Sequence, residues 1–215
     1  VLASSSEVYQ VPRNIPTDET ASLSIPDPMN PRYSYGAGKI VSEMMAINYG
    51  RKYLKRVLIF RPHNVYGPDM GWEHVLPQFA LRMKELCQTP GVIRFPVQGS
   101  GDETRSFVYI DDFTEGVMCV LEKGEHMNIY HIGTEEEVSI RKAAELVADY
   151  FKRKIEVVPG IRFAEGSVLR RCPSIAKISA LGYRQKWALK DGISRLAEWY
   201  DKNSNQAPTN PGDKT

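Results

Sequence analysis

Few cysteines and no long apolar run are found in this chain of 215 residues. Its three cysteines, Cys87, Cys119 and Cys172, are odd in number and widely spaced, which predicts reduced thiols and argues against a disulfide framework or a zinc site. The four histidines are scattered without metal-ligand spacing. No stretch approaches the ~20 apolar residues of a membrane span, and no signal-peptide pattern is recognisable. We therefore expect a soluble, cytoplasmic protein without a metal site.

An excess of charge of one sign is also missing. Lysine and arginine together number 28 against 26 for aspartate and glutamate, so the formal net charge is +2. No basic tract occurs, and basic residues do not alternate with aromatic ones, so the sequence does not indicate a nucleic-acid partner. The length is sufficient to bury a sizeable core and predicts one or two domains.

Tyr35 and Lys39 indicate acid–base chemistry. They stand four positions apart at the start of a helix predicted over 33–51, so both side chains should lie on one face. A neighbouring ammonium group stabilises phenolate and lowers the pKa of a tyrosine from its reference value of roughly 10. Such a tyrosine can remove a proton from a sugar or alcohol hydroxyl. A serine from Ser4–Ser6 is available to hold that hydroxyl in place.

Four motifs follow in a fixed order along the chain: Ser4-Ser-Ser-Glu-Val-Tyr9, Tyr35-Gly-Ala-Gly-Lys39, Arg61-Pro-His-Asn-Val-Tyr-Gly-Pro68 and Arg105-Ser-Phe-Val-Tyr-Ile-Asp-Asp112. With these motifs, residues 1–203 resemble the extended short-chain dehydrogenase/reductase family, the NAD-dependent epimerases and dehydratases of nucleotide sugars. The resemblance implies an α/β fold, with a partial Rossmann-type parallel sheet and a smaller α/β substrate-binding lobe. It also implies NAD as cofactor and a nucleoside-diphosphate sugar as substrate.

The resemblance assigns roles to individual residues. The catalytic residues would be Ser5, Glu7, Tyr35 and Lys39. Cofactor contacts would come from Ser4, Tyr35, Lys39, Pro62 and His63. Substrate contacts would come from Asn64, His74, Arg105 and Arg171. The two arginines suit a diphosphate, because a guanidinium binds phosphate oxygens bidentately and keeps its charge. Three of these residues also have a purely structural interpretation. Ser5 can simply end a strand, Glu7 can be an exposed loop carboxylate, and Asn64 can form a turn.

Within this family the resemblance leaves three fates for the 4-keto sugar that Tyr35 would help to form. The sugar can be reduced on its other face by a 4-epimerase, lose water in a 4,6-dehydratase, or lose carbon dioxide in a decarboxylase of the UDP-glucuronate type. We rank the epimerase first. Glu7 keeps the other two open, because the resemblance gives dehydratases and decarboxylases a glutamate at this position. Ser-Ser-Glu resembles the decarboxylase sequence most closely, and it lacks the aspartate of the 4,6-dehydratases.

The glycine-rich phosphate-binding turn that opens a dinucleotide-binding fold does not occur in this sequence. Compared with the family, roughly the first half of the NAD-binding domain is absent, which predicts a fragment, a truncated product or one part of a split protein. A non-catalytic remnant or interaction module is therefore a second hypothesis. The apolar strand end Val1–Ala3 would then be an unpaired edge, so we expect a homodimer or a partner chain that supplies the missing half.

The resemblance also predicts two interleaved lobes. Residues 1–66 and 104–135 would form the NAD-binding part, residues 67–103 and 136–203 the nucleotide-sugar lobe, and residues 204–215 a flexible tail. At the level of single elements, we expect a strand over residues 1–6 and a core position for Met44, Met45, Ile47 and Tyr49. We further expect Asp111 or Asp112 to cap the helix 113–122, and Ser139 to cap the helix that follows it.

Overall fold

The computed structural model describes residues 1–160 and 168–208. The helices are α1 (Ser34–Tyr53), α2 (Val75–Leu86), α3 (Ile110–Lys123), α4 (Ile140–Tyr150), α5 (Ala176–Ala180) and α6 (Leu189–Asn203). The strands are β1 (Leu2–Ala3), β2 (Leu58–Pro62), β3 (Val65–Tyr66), β4 (Ile93–Val97), β5 (Thr104–Ser106), β6 (Val108–Tyr109), β7 (Asn128–Ile132), β8 (Glu137–Ser139), β9 (Ile155–Pro159) and β10 (Arg170–Arg171). Short 3₁₀ helices occupy Ser6–Tyr9, Pro31–Tyr33 and Ser204–Gln206. In these two ranges no helix is both long and apolar enough to cross a bilayer.

The described residues form two compact units. The first contains Val1–Val65, Thr104–Glu137 and the described part of 166–186, and the second contains the remainder. The expected lobe boundary is wrong in one segment, since residues 168–186 belong to the first unit and not to the second. The reason is that β10 pairs with β5, while α5 packs on β7. Of the expected tail, Ser204–Gln206 is helical, and residues 209–215 lie outside the described ranges.

The first unit is built on a parallel sheet with the strand order β1-β2-β7. Strand β2 begins with Leu58-Ile-Phe60, all buried, as expected for a parallel strand covered on both faces. The hydrophobic core of the first unit lies between the sheet and helices α3 and α5. It contains Leu58, Phe60, Val120, Tyr130, Ile132, Ile178 and Tyr183. In this register Ala3 lies beside Phe60, and Pro62 lies beside Ile132. The three strands therefore end at one edge, where α/β sheets place their ligands.

The buried side of helix α1 consists of two glycines and a glutamate instead of large apolar residues. Its buried residues are Gly36, Glu43 and Gly50, spaced seven apart along one side. The prediction that Met44, Met45 and Tyr49 belong to the core is wrong, because their exposed fractions are 55%, 55% and 59%. Small residues on the buried side allow close approach of the backbones. A Cβ on Gly50, for example, would lie 2.3 Å from the Cγ2 atom of Val57.

Two further local predictions are wrong. The strand expected over residues 1–6 is limited to Leu2–Ala3, because the chain turns into the 3₁₀ helix Ser6–Tyr9 immediately after Ser5. Helix α3 begins at Ile110 with Tyr109 as its N-cap, so Asp111 and Asp112 lie inside its first turn and do not cap it. There, carboxylates still interact favourably with the helix dipole.

The N-cap predicted for the next helix is confirmed. The Ser139 side chain accepts a hydrogen bond of 3.1 Å from the amide of Lys142 in the first turn of α4. A serine at this position satisfies one of the amide groups that have no partner within the helix.

The second unit has its own sheet and core. Strands β4 and β9 pair in parallel, with Ile93 beside Ile155, and helices α2, α4 and α6 pack against one another. The rings of Phe79 and Phe95 meet edge to face with centroids 5.4 Å apart, a favourable arrangement for two aromatic side chains. The α/β class with parallel sheets is thus confirmed for both units.

Candidate active site

Ser5 lies where β1 ends and the 3₁₀ helix Ser6–Tyr9 begins. Its hydroxyl oxygen accepts a hydrogen bond of 3.1 Å from the amide of Glu7, so Ser5 acts as the N-cap of that helix. The residue is 9% exposed. This bond uses the oxygen and leaves the hydroxyl proton available for donation to a bound hydroxyl group. The capping role and the predicted catalytic role are therefore compatible.

Tyr35 and Lys39 are held next to the same strand end. The ammonium group of Lys39 donates a hydrogen bond of 2.9 Å to the carbonyl oxygen of Ala3, and it lies 5.6 Å from the centroid of the Tyr35 ring. A cation at this distance interacts favourably with the ring. Tyr35 is 57% exposed, so its hydroxyl is accessible to a ligand. The structure thus brings the predicted base and its cationic partner to the carboxyl end of β1.

Gly36 explains how the helix comes so close to this turn. A Cβ at this position would lie 2.8 Å from the carbonyl oxygen of Glu7 and 2.6 Å from Nε2 of Gln10. The Gln10 side chain could turn aside, but the backbone contact with Glu7 is not tolerated without movement of the chain. The absence of a side chain at position 36 therefore allows α1 to rest on the 3₁₀ helix. Tyr35, the residue before Gly36, is carried to the site by this approach.

Arg105 and Arg171, the residues predicted to bind the diphosphate, are neighbours in the register of the parallel pair β5–β10. Arg105 donates hydrogen bonds of 2.7 Å to the carbonyl oxygens of Thr104 and Val168. Arg171, which is 9% exposed, forms an ion pair with Glu7 at 2.5 Å. The predicted catalytic residue Glu7 and the predicted substrate-binding residues Arg105 and Arg171 therefore belong to one charged cluster.

The segment after β2 contributes three of the predicted residues. Pro62 is half-buried and closes the strand, and Asn64 takes a positive φ of 41° while its amide donates a hydrogen bond of 3.0 Å to the carbonyl oxygen of Ser106. His63 is 1% exposed, and its ring meets that of His131 with centroids 4.6 Å apart. Within residues 1–160 and 168–208, neither ring nitrogen of His63 has a hydrogen-bond partner. Burial keeps the pKa of His63 well below its ordinary value.

Two other predicted residues have different surroundings. The Ser4 hydroxyl, at a residue exposure of 3%, donates its hydrogen bond to the carboxylate of Glu43 in α1. His74 belongs to the second unit, where it is the exposed N-cap residue of α2. Their roles toward cofactor and substrate stay predictions.

Sequence reasoning did not identify a buried polar network beneath these residues. Glu43, 1% exposed, receives two hydrogen bonds from Arg61, of 2.9 and 2.6 Å, and Arg61 also donates to the hydroxyl of Tyr9. That hydroxyl lies 2.6 Å from Nε2 of His131, whose other ring nitrogen is 3.1 Å from the carbonyl oxygen of Ser174. A signal existed: Glu43 is a single carboxylate inside the largely apolar segment Ile40–Ile47, and such a charge needs a partner when it is buried.

The parallel sheet and the residues at its carboxyl edge define a protein of the Rossmann-type α/β class with a tyrosine–lysine pair on a helix. The comparison with family models gives the narrower result. Residues 1–133 match the model described as NAD dependent epimerase/dehydratase family. The chain belongs to this family, as its four motifs predicted.

Individual relatives agree with this assignment. The trifunctional UDP-glucose 4,6-dehydratase/UDP-4-keto-6-deoxy-D-glucose 3,5-epimerase/UDP-4-keto-L-rhamnose-reductase of Arabidopsis thaliana is 31% identical over 94% of this chain and 29% of its own length. The dTDP-D-glucose 4,6-dehydratase of Homo sapiens is 30% identical over 94% of this chain and 56% of its own length. The crystal structure of a dTDP-glucose 4,6-dehydratase from Streptomyces venezuelae, solved with NAD, is 29% identical with a TM-score of 0.78, covering 95% of this chain and 60% of that one. The chain thus spans less than two thirds of each of these relatives.

Proposed function

We propose that this protein is a NAD-dependent nucleoside-diphosphate-sugar epimerase that acts through a 4-keto sugar. The observation that supports this most is the placement of Lys39, which bonds to the end of β1 and lies beside the exposed ring of Tyr35. The chemistry that bound NAD would supply is reversible hydride transfer with the sugar. Tyr35, Lys39 and Pro62 would hold its nicotinamide end, and the free ammonium protons of Lys39 suit the hydroxyl groups of a ribose.

The residues of this chain divide the work between proton transfer and binding. Tyr35 takes the proton from the sugar hydroxyl as base, and Lys39 stabilises the phenolate by its charge. Ser5 donates its free hydroxyl proton to the reacting sugar oxygen and so holds it in place. Arg105 and Arg171, paired in register, bind the diphosphate through charge-assisted hydrogen bonds.

The residues next to Ser5 favour epimerisation over dehydration. Elimination of a hydroxyl group requires an acid that protonates the leaving oxygen, and position 6 carries a buried serine instead of a carboxylic acid. The next carboxylate, Glu7, is bound to Arg171, which favours its ionised form. An ionised carboxylate cannot serve as that acid. A 4-epimerase needs no such group, since reduction of the rotated 4-keto sugar completes its reaction.

A 4,6-dehydratase is the second candidate. It is favoured by the names of the relatives and by Glu7, because an ionised carboxylate can still act as a base toward a carbon acid next to the keto group. A decarboxylase of UDP-glucuronate type uses the same early step. The three activities differ in their products, so a product analysis distinguishes them.

The test is to incubate the purified protein with NAD and a set of UDP-, dTDP- and GDP-hexoses, and to follow the sugar by NMR. An epimer at C4 with NAD unchanged supports the proposal, and a 4-keto-6-deoxy sugar or a pentose supports the alternatives. Tyr35→Phe should lower kcat by roughly 10²- to 10⁴-fold, the usual contribution of a positioned acid–base group. The matched control is Tyr49→Phe, an exposed tyrosine of the same helix, which should retain wild-type kcat. A kcat close to the wild-type value in Tyr35→Phe would overturn the assigned base.

A further inference from the structure

Arg61 is a buried charge that joins two separate parts of the candidate active site. It lies on β2, and only 2% of the residue is exposed. Its Nε and one terminal nitrogen bind both carboxylate oxygens of Glu43, at 2.9 and 2.6 Å. Its other terminal nitrogen donates to the hydroxyl of Tyr9 and, at 3.4 Å, to the carbonyl oxygen of Glu19. The guanidinium is therefore bound on both of its sides.

Glu43 connects Arg61 to the helix that carries the proposed base. It follows Lys39 by one helical turn, and it also accepts a hydrogen bond from the Ser4 hydroxyl at the end of β1. Ala3, the residue before Ser4, accepts the hydrogen bond from Lys39. Two adjacent bonds therefore join α1 to β1, and Arg61 extends the connection to β2.

Tyr9 connects Arg61 to the turn that begins at Ser5. It is the last residue of the 3₁₀ helix Ser6–Tyr9, whose N-cap is Ser5. The Nδ1 atom of His131 is positioned to donate to the carbonyl oxygen of Ser174, so its Nε2 accepts the proton of the Tyr9 hydroxyl. With that proton so placed, the tyrosine oxygen is free to accept from Arg61. The donors and acceptors thus form one consistent chain.

We propose that Arg61 is a positioning residue, which through Glu43 and Tyr9 sets the placement of Tyr35 and Lys39 relative to Ser5. The proposal rests on the proposed function, because it concerns the geometry of that reaction. Arg61 suits this task because its planar guanidinium presents several donors in a fixed arrangement. A shift of about 1 Å between reacting groups is enough to lower a rate by roughly 10²-fold.

Substitution of Arg61 or Glu43 would leave a buried charge without its partner, and such a variant can fail to fold. The test therefore uses Tyr9→Phe, which keeps the ring and removes the hydroxyl group between Arg61 and His131. The matched control is Tyr183→Phe. Tyr9 and Tyr183 are each 3% exposed, and the Tyr183 hydroxyl donates a hydrogen bond of 3.2 Å to the carbonyl oxygen of Gly133 in the same unit.

We expect Tyr9→Phe to lower the midpoint of thermal unfolding more than Tyr183→Phe, because the Tyr9 hydroxyl bonds to a charged group and to His131. Tyr9→Phe alone should lower kcat by roughly 10- to 100-fold with little change in KM, since it moves the reacting groups and not the substrate ligands. It should also accelerate amide hydrogen exchange in residues 6–10 and in the first half of α1, whereas Tyr183→Phe should not. Unchanged kcat and unchanged exchange in Tyr9→Phe would overturn the proposal. If the wild-type protein turns over no nucleotide sugar, the proposed function fails, and the exchange comparison still decides whether Arg61 positions these elements.

Discussion

The carboxylate of Glu7 lies 2.5 Å from the guanidinium of Arg171, although 164 positions separate the two residues in the sequence. Burial by itself would raise the pKa of Glu7, but the hydrogen bond and the charge of Arg171 outweigh it, and Arg32 and Arg105 add to their effect. The pKa of Glu7 is therefore lowered, and the residue is ionised at neutral pH. An anionic group already lies against the arginine that we assign to the substrate diphosphate.

A first prediction concerns this arginine. Arg171→Ala should weaken the binding of UDP or dTDP by roughly 10- to 100-fold, the usual effect of losing one or two hydrogen bonds between charged groups. Isothermal titration calorimetry with the nucleoside diphosphate alone measures this, without any need for catalysis.

Arg170 provides the control for this measurement. It is the neighbouring residue on β10, and its exposed guanidinium pairs with Glu137 at 2.7 Å instead of Glu7. Arg170→Ala should therefore retain nearly the wild-type Kd for the nucleotide. Equal losses in the two variants would show that the binding effect comes from general charge and not from the Arg171 site.

A second prediction concerns the close contact between α1 and the turn after Ser5. Gly36→Ala should destabilise the protein by about 1–3 kcal/mol, as expected when a methyl group is inserted into a packed contact. It should also lower kcat, because the new Cβ would lie 2.8 Å from the Glu7 carbonyl oxygen and would push the helix away. Urea unfolding and steady-state kinetics give the two quantities.

The same helix supplies the control. A Cβ on Gly38 would meet no atom of the described chain within 4 Å. Gly38→Ala should therefore increase the free energy of unfolding by about 0.5–1 kcal/mol through helix propensity. If Gly36→Ala proved as stable as Gly38→Ala, the close approach seen in the structure would be wrong.

A third prediction is a loss of stability in acid that depends on His63. Burial lowers the pKa of His63 well below its ordinary value, and burial also lowers that of His131. Below about pH 6.5 the unfolded chain then binds more protons than the folded one, so the free energy of unfolding falls as the pH falls. A histidine that is neutral in the folded protein and protonated in the unfolded chain contributes a slope of at most about 1.4 kcal/mol per pH unit.

His63→Phe should remove one of these two contributions. The variant should match or exceed the wild-type stability at pH 8. In the described ranges the buried His63 ring has no hydrogen-bond partner, and an apolar ring in its place leaves no polar atom unsatisfied. Between pH 6.5 and 5 its stability should decrease less steeply, which urea unfolding at several pH values can measure. A variant with the wild-type slope would show that His63 does not bind a proton on unfolding in this range.

Much of the site could be predicted because its signals are local. The four-residue spacing of Tyr35 and Lys39 on a helix and the Ser139 cap both depend on neighbouring residues. The α/β class followed from the family resemblance that the four motifs carry, and the buried run Leu58-Ile-Phe60 of β2 agrees with it. The family match over residues 1–133 confirms the family that the four motifs indicated.

The sequence by itself thus determined the family, the parallel sheet and the pairing of Tyr35 with Lys39. Only the tertiary structure decided which residues are buried beneath the site and which charged residues pair there. Met44 and Met45 are apolar but exposed, whereas the charged Glu43 between Ser42 and Met44 is buried against Arg61. Likewise Arg171 meets Glu7 only because β10 returns to β5 in the first unit. The physical reason is that a buried charge requires a partner, and the order of strands and not proximity in the sequence determines which partner is within reach.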